Sequence, residues 1–131
     1  MSNRYINHLV SQDSVEIQVA LVESYVSTKM QKSLCITLTN NTDYLYFYGD
    51  SFLIYTRTIG GWRRMSFSEN GGLFTLIAYS LPPDSYVVRV VDLDFHFKYL
   101  SEGEYIIIKQ LFRYGESQDT LTVIGGFEIV R

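Results

Sequence analysis

The chain has 131 residues, about the length of one domain, and 47% of them are hydrophobic. That share is too high for a disordered chain, and the longest unbroken apolar runs fall far short of the roughly 18 residues that a membrane span requires. The net charge is −3 and the sequence has no basic tract, which argues against a nucleic-acid partner.

The N-terminus and the single cysteine bear on the cellular setting. Residues 1–13 lack the apolar stretch and cleavage site of a secretory signal, and we expect them to form a flexible segment before one domain at residues 14–131. The protein is therefore expected to be either cytoplasmic or a mature domain expressed without its leader. Cys35 is the only cysteine, which excludes an intramolecular disulfide and a cysteine-rich metal site.

Alternation of apolar and polar residues with period two predicts strands throughout the first half of the chain. In the first strand Val15, Ile17 and Val19 alternate with polar residues, so one face should be buried and the other should face water. Gly60-Gly61 is a two-residue hairpin signal between two later strands. In chain order, the predicted extended segments are Val15–Leu21, Ser33–Thr39, Tyr44–Tyr48, Phe52–Ile59 and Trp62–Phe67.

The second half of the chain continues this pattern. Pro82-Pro83 cannot donate hydrogen bonds to a sheet, so these residues are expected to connect two strands. The turn at 70–72 should lead into a further strand, and Gly125-Gly126 is expected to form a bulge within the last strand. The predicted strands are Leu73–Tyr79, Tyr86–Leu93, Ile106–Phe112 and Leu121–Val130.

Gly103 lies two residues before Tyr105, which opens a long apolar strand. This spacing predicts a tyrosine corner, in which the phenol hydrogen-bonds the backbone a few residues upstream, as is typical of Greek-key sandwiches. The sequence therefore predicts an all-β sandwich. Its expected inward-facing residues are Ile17, Val19, Ile36, Leu38, Leu76, Val88, Val90, Ile106, Ile108 and Ile129.

Five segments carry a family resemblance through their order and spacing: Ile36–Asp43, Tyr48–Phe52, Gly61-Trp62, Ala78–Ser85 and Leu100–Tyr105. Together they resemble a bacterial immunoglobulin-like domain, of the kind found in secreted proteins and lipoproteins of Gram-positive bacteria. The resemblance covers about Val15 to Arg131 and implies an immunoglobulin-like Greek-key β-sandwich of seven to eight antiparallel strands in two sheets. It also implies a non-catalytic module in an extracellular or cell-surface setting.

Two features depart from antibody-type domains. Those domains carry a disulfide cysteine two residues after the corner tyrosine, and here that position is Ile107, so this disulfide is excluded. Trp62 follows a hairpin, well beyond the spacing of the usual core tryptophan, and is not assigned that role.

Asp92, Asp94 and His96 alternate with apolar residues and would share one face of an extended segment. Such a row is a weak candidate for binding a divalent metal if further ligands come from elsewhere. The favoured interpretation is a polar face in water opposite a core stripe, so neither a metal site nor a cofactor is predicted. The sequence also lacks a nucleophile elbow and a phosphate-binding glycine motif, and an enzyme is not predicted.

The aromatic residues are the better functional lead, since they make up 15% of the chain. Tyr44, Tyr46 and Tyr48 share one face of their predicted strand. If that face is exposed, these tyrosines and Trp62 form a binding surface, because such side chains offer large rigid contact area. In the alternative, which we favour, the tyrosines pack over the sandwich edge with their hydroxyls in water.

The main functional hypothesis is a non-enzymatic protein-binding or structural module that acts through an edge strand or the Tyr44–Tyr48 region. Self-association through an edge strand is included in it. The alternative is a carbohydrate-binding module that stacks sugars on exposed aromatic residues. A metal-dependent hydrolase centred on Asp92, Asp94 and His96 is a third class.

Overall fold

The computed structural model describes residues 14–130, so the predicted flexible segment 1–13 lies outside the described residues. Between Ser14 and Val130 the chain forms nine strands and one helical turn, which confirms the predicted all-β sandwich with one strand more than expected. In chain order the elements are β1 (Val15–Val26), β2 (Lys29–Asn40), β3 (Tyr46–Tyr48), β4 (Leu53–Thr58), β5 (Gly61–Arg64), β6 (Tyr79–Leu81), β7 (Ser85–Asp92), α1 (Leu93–His96), β8 (Gly103–Arg113) and β9 (Glu116–Ile129).

The strands form two antiparallel sheets. The smaller sheet has the order β1-β2-β7, and the larger has the order β5-β4-β8-β3-β6, with β9 paired to the other side of β8. Strand β8 is central in the larger sheet because it has strand partners on both sides. On one side β9 pairs with it along its whole length. On its opposite side β8 pairs with β4 over Tyr105–Ile108 and with β3 over Leu111–Arg113. Between these two pairings, β8 has no strand partner on this side at Lys109, and the site described below lies at this gap.

The inner faces of both sheets supply the core. Ile17 pairs with Leu38 on neighbouring strands of the smaller sheet, and both are buried as predicted. Across the core, Gly125 of β9 lies so close to β1 that an added Cβ would stand 2.4 Å from Cγ2 of Val19. Gly125 therefore permits a close approach of the two sheets. The predicted bulge at Gly125-Gly126 is wrong, because the pairing with β8 runs through both glycines without a shift.

The predicted inward face of β8 is also wrong. Tyr105 and Ile107 are buried, whereas Ile106 and Ile108 lie on the opposite face and are half-buried. The run of three isoleucines has no alternation from which the inward face can be assigned. The corner tyrosine must be inward, and the period of two then places Ile107 and Lys109 inward as well.

Strand β7 shows the same kind of error. Val88 and Val90 were expected in the core, yet their exposed fractions are 52% and 71%. The inward residues are Val87, Arg89 and Val91. Because β7 has valines on both faces, its sequence shows no alternation of apolar and polar residues. The side chain of Arg89 points inward, where it forms the ion pair described below.

The predicted strand Leu73–Tyr79 is absent from the described chain except at its last residue, where β6 begins. Leu76, expected in the core, is fully exposed. Residues 73–78 pair with no strand, and only Phe74 reaches the core, where its ring contacts Phe52 at 5.2 Å between centroids. Within residues 14–130, no helix is long and apolar enough to cross a membrane.

Candidate functional site

The structure does not arrange the three predicted tyrosines as one exposed stripe. Tyr44, just before β3, has an exposed fraction of 52%, and its ring lies 4.3 Å below the guanidinium of Arg113. Tyr46 is half-buried, and Tyr48 is buried with an exposed fraction of only 3%. The stripe therefore runs from the surface into the core.

Trp62 lies far from these tyrosines. Tyr46 pairs with Arg113 near the C-terminal end of β8, whereas Trp62 pairs with Arg57, whose guanidinium contacts Glu104 near the N-terminal end. The strand between Glu104 and Arg113 spans roughly 30 Å at the usual rise per residue. Trp62 and the tyrosines do not form a common surface.

Asp92, Asp94 and His96 do not lie on an extended segment, because the chain forms α1 from Leu93 to His96. Asp92 caps α1, and its Oδ1 accepts from two backbone N–H groups of that helical turn. Asp94 accepts a hydrogen bond from the backbone N–H of Lys32, and Nδ1 of His96 bonds the carbonyl oxygen of Gly71. Across residues 14–130, no group of three or more His, Cys, Asp or Glu side chains is placed to hold a metal ion.

Gly103 and Tyr105 lie at the start of β8. The Tyr105 hydroxyl donates to the carbonyl oxygen of Ser101, four residues upstream, which is the hydrogen bond of a tyrosine corner. The Tyr105 ring stacks on Phe127 of β9, with centroids 5.3 Å apart. This pair closes one end of the core.

A polar cluster lies at the other end, where β8 passes from β4 to β3. There the chain between β3 and β4 leaves the sheet, so its carbonyl groups have no strand to bond. Lys109 has an exposed fraction of only 6%, and its ammonium donates to the carbonyl oxygens of Gly49 at 2.9 Å and Ser51 at 3.1 Å. Lys109 thus supplies the donors that an adjacent strand would otherwise provide.

Asp50 lies between these two carbonyl groups in sequence and has partners of its own. Its carboxylate forms an ion pair with Arg89 of β7 at 3.3 Å and accepts from the hydroxyls of Tyr79 and Thr75. The Arg89 guanidinium also stands 4.1 Å above the ring of Tyr79. These contacts connect β6, β7 and the β3–β4 connection, and they occupy both oxygens of Asp50.

Burial sets the protonation behaviour of this cluster. It lowers the pKa of Lys109 from 10.5 to about 8, with Asp50 opposing the shift and Arg89 reinforcing it. Burial also raises the pKa of the Tyr48 phenol, and here Arg89 acts in the opposite direction. Lys109 therefore releases its proton more readily than a surface lysine.

The cluster borders a cleft of about 470 Å³ between the two sheets. Lys109, Asp50 and Arg89 form its polar wall. The rest of the lining is largely apolar, except for Asp92 and for Thr75, which bonds Asp50, and it comes from the chain at 73–75, from the end of β7 and from α1. Its main residues are Leu73, Phe74, Val91, Phe95 and His96.

A second surface of interest is the outer face of the β1–β2–β7 sheet. Tyr86, Val88 and Val90 point outward from β7 and are all exposed. Their strand neighbours in the two rows of Val88 and Val90 are uncharged: Gln18, Thr37, Ala20 and Cys35. The centre of this outer face is thus free of charge, with two exposed valines beside small or uncharged polar residues.

The family model described as bacterial Ig-like domain matches residues 13–124. The chain belongs to this family. The match confirms the resemblance inferred from the sequence, and it spans both the cleft and the outer face of the smaller sheet. A search of the curated proteins found no match.

Solved structures with a similar course of chain are distant in sequence. A Northeast Structural Genomics Consortium target, SoR45, is 16% identical, with 89% of this chain and 84% of that chain covered and a TM-score of 0.48. The archaellum periplasmic stator protein FlaG from Sulfolobus acidocaldarius is 18% identical, with 87% and 100% covered and a TM-score of 0.43. The FlaF and FlaG complex from the same organism is also 18% identical, with 91% and 90% covered and a TM-score of 0.43.

Lys109, Arg89 and Asp50 of this immunoglobulin-like domain are not among the residues predicted from the sequence. One signal for Lys109 was present, because an inward Tyr105 places every second residue of β8 inward, Lys109 included. No comparable signal exists for Arg89, which stands in a run of valines. Asp50 is a loop residue, and only the fold brings it to β7.

Proposed function

We propose that this immunoglobulin-like domain is a non-enzymatic module that binds a partner protein through β7 and the outer face of the β1–β2–β7 sheet. The observation that carries the proposal is the exposure of Val88 and Val90 in two neighbouring uncharged rows of this face. An antiparallel sheet in water usually alternates polar residues outward, so two outward valines indicate a surface that a partner covers.

The position of β7 supports strand addition as the mode of binding. β7 is the last strand of its sheet, and within residues 14–130 its one strand partner is β2. Its outer edge therefore offers backbone groups to an added strand. Along its outward face β7 carries Tyr86, Val88 and Val90 without a charge until Asp92 at its end, while its other charged residue, Arg89, points inward and pairs with Asp50.

These features define the chemistry of the partner. An added strand would place alternate side chains beside Tyr86, Val88 and Val90, so apolar, uncharged residues fit at alternate positions. A charged segment would gain no complementary charge in the two central rows. The partner we propose is therefore a protein with an extended, uncharged, apolar segment.

Cys35 gives a direct test, because the only thiol of the chain lies beside Val90 on this face and is half-buried. A photoreactive residue at position 88 would first identify the partner, which is then purified. Its binding should slow alkylation of Cys35 by iodoacetamide. The matched control is the Cys35→Ser, Ile59→Cys double variant, whose thiol is exposed at the β4–β5 hairpin and should react at an unchanged rate.

Charge substitutions complete the test. Val88→Lys should weaken binding about tenfold or more, because a charge would be buried against an apolar strand, whereas Ile59→Lys should bind like the wild type. Equal binding by both variants, or no change in Cys35 alkylation at saturating partner, would refute the proposal. Slower alkylation at higher concentration of the domain alone, with dimers in sedimentation, would identify the partner as a second copy.

The carbohydrate-binding alternative lacks comparable support. Tyr48 is buried, and Trp62 lies at the other end of β8 from Tyr46, so the predicted aromatic residues offer no joint platform for a sugar.

A further inference from the structure

The cleft between the sheets contains a buried cation without a carboxylate partner. The Lys109 ammonium has three N–H donors, of which two bond the carbonyl oxygens of Gly49 and Ser51. Both ion pairs found within residues 14–130 join other residues, and Asp50 bonds Arg89, Tyr79 and Thr75. The Tyr48 ring is a further neighbour of the ammonium, with its centroid 5.8 Å from Nζ. One of its donors therefore has no hydrogen-bond acceptor among the described residues, and its charge has no carboxylate in direct contact.

A buried ammonium is costly when neutral carbonyl groups make all of its hydrogen bonds, even with an aromatic ring and a more distant carboxylate nearby. A methionine or leucine in the same position of β8 would avoid this cost, as Leu111 does two residues later. The two carbonyl groups explain why a donor is present, but a neutral donor would meet that need as well. The positive charge, open to a cleft, indicates that an anion binds there.

The shape of the cleft specifies the rest of the ligand. Its volume of about 470 Å³ lies in the usual range for small-molecule sites. Leu73, Phe74 and Phe95 form an apolar wall of the cleft. A phosphate would leave this wall uncovered, whereas a carboxylate on an apolar body would contact both the wall and the ammonium.

We infer that the cleft is a binding site for a carboxylate carried on an apolar body, with the Lys109 ammonium as its counter-ion and with Leu73, Phe74 and Phe95 as its apolar wall. Such a carboxylate belongs either to a free organic acid or to a peptide, through an acidic side chain or the C-terminus. This inference does not depend on the protein-binding face of β7.

The full chain can be tested with phenylacetate as the probe and phenylacetamide as its neutral counterpart. Both are titrated while the Cε and Hε signals of the lysines are followed by NMR. Phenylacetate should shift the Lys109 signals saturably and leave the signals of the exposed Lys98 unchanged. The affinity for phenylacetamide should be lower by a factor of about ten or more. A peptide that contains one glutamate between apolar residues, tested alongside, distinguishes the two sources of the carboxylate by which probe binds tighter.

Two variants of one loop keep the test independent of Lys109 itself. Leu73 lines the cleft, and Leu76 is fully exposed away from it. Leu73→Asp should weaken phenylacetate binding about fivefold through charge repulsion, whereas Leu76→Asp should leave binding unchanged. Lys109→Met should lower the affinity for phenylacetate by a factor of about ten or more, whereas Lys98→Met should leave it unchanged.

Three results would overturn the inference. The first is the absence of any saturable shift of the Lys109 signals with phenylacetate. The second is equal binding of phenylacetate and phenylacetamide, which would make the cleft merely apolar. The third is equal binding by the Leu73→Asp and Leu76→Asp variants, which would place the probe elsewhere.

Discussion

The two halves of strand β8 differ in what they bury. In the closed half, Gly103–Ile108, β9 flanks the strand throughout and β4 flanks its other side from Tyr105 onward, and Tyr105 and Ile107 are buried among apolar side chains. In the open half, Lys109–Arg113, the pairing with β4 has ended, and the pairing with β3 begins only at Leu111. A lysine is buried at this break, and a cleft opens beside it.

This difference follows from the hydrogen-bond ladder. An unbroken ladder satisfies the backbone, so that the inward side chains can all be apolar. A broken ladder leaves carbonyl groups that require donors, and at Gly49 and Ser51 the donor is a charged side chain. The closed half therefore stabilises the fold, and the open half is where the domain has room for a ligand.

The largest expected effect breaks the closed half. Ile107→Ala should lower the free energy of unfolding by about 2 to 5 kcal/mol, because Ile107 is completely buried and its removal leaves a cavity. Ile106→Ala, on the half-buried outer face of the same strand, should cost clearly less. Denaturant unfolding of both variants provides the measurement, and equal losses would contradict the assignment of the inward face.

The second prediction concerns the open half and pH. The pKa of Lys109 is about 8 in the folded state, below the ordinary value of 10.5, so the unfolded chain binds more protons between these pH values. Stability should therefore rise as the pH increases from 8 to 10.5, by roughly 3 kcal/mol over the full window.

Lys109→Met supplies the reference for this measurement. The wild-type stability minus that of the variant isolates Lys109 from the other groups of the cluster, among them Asp50, Arg89 and Tyr48. The raised pKa of Tyr48 acts in the opposite direction above its ordinary value of 10.0, so the comparison is clearest below that pH. If the stability difference between the wild type and Lys109→Met stayed constant with pH, the pKa of Lys109 would not be lowered in the folded state.

The third prediction sharpens the contrast from the side of the facing sheet. Gly125→Ala should destabilise the fold by about 2 kcal/mol, since the new Cβ would collide with Val19 of β1. Gly60→Ala, at a hairpin where no atom lies within 4 Å of the added Cβ, should change stability little. Combining Gly125→Ala with Val19→Ala should recover part of the loss in thermal unfolding, and no recovery would contradict the close approach.

The smallest effect is expected at the tyrosine corner. Tyr105→Phe removes one hydrogen bond to the Ser101 carbonyl and should cost about 1 kcal/mol. Tyr99→Phe, at an exposed position nearby, should have no measurable effect in the same unfolding experiment. A Tyr105→Phe variant as stable as the wild type would mean that the corner contributes nothing to stability.

The predictions from sequence succeed where a local signal acts by itself. Alternation placed β1 and β2, and Gly60-Gly61 marked the β4–β5 hairpin, in which Thr58 pairs with Gly61. They fail where the local signal is symmetric. The valines of β7 and the isoleucines of β8 suit either face, so packing against the other sheet decides which residue is buried.

The candidate sites differ in the same respect. Asp92, Asp94 and His96 look like a row in sequence, but Asp92 is a strong helix cap and turns the segment into α1. Lys109 and Asp50 look like ordinary polar residues. Nothing in the local sequence indicates that, along β8, the pairing with β4 ends before the pairing with β3 begins. Their roles depend on strand pairing between distant parts of the chain.

The sequence by itself determined the all-β class, most strand positions and the corner at Tyr105, since these depend on periodicity and on short-range spacing. Only the tertiary structure decided that Lys109 is buried, that Arg89 points inward to Asp50 and that Val88 and Val90 face water. The physical reason is that a strand's side chains alternate by geometry alone, whereas the face that is buried depends on which strands lie beside and above it.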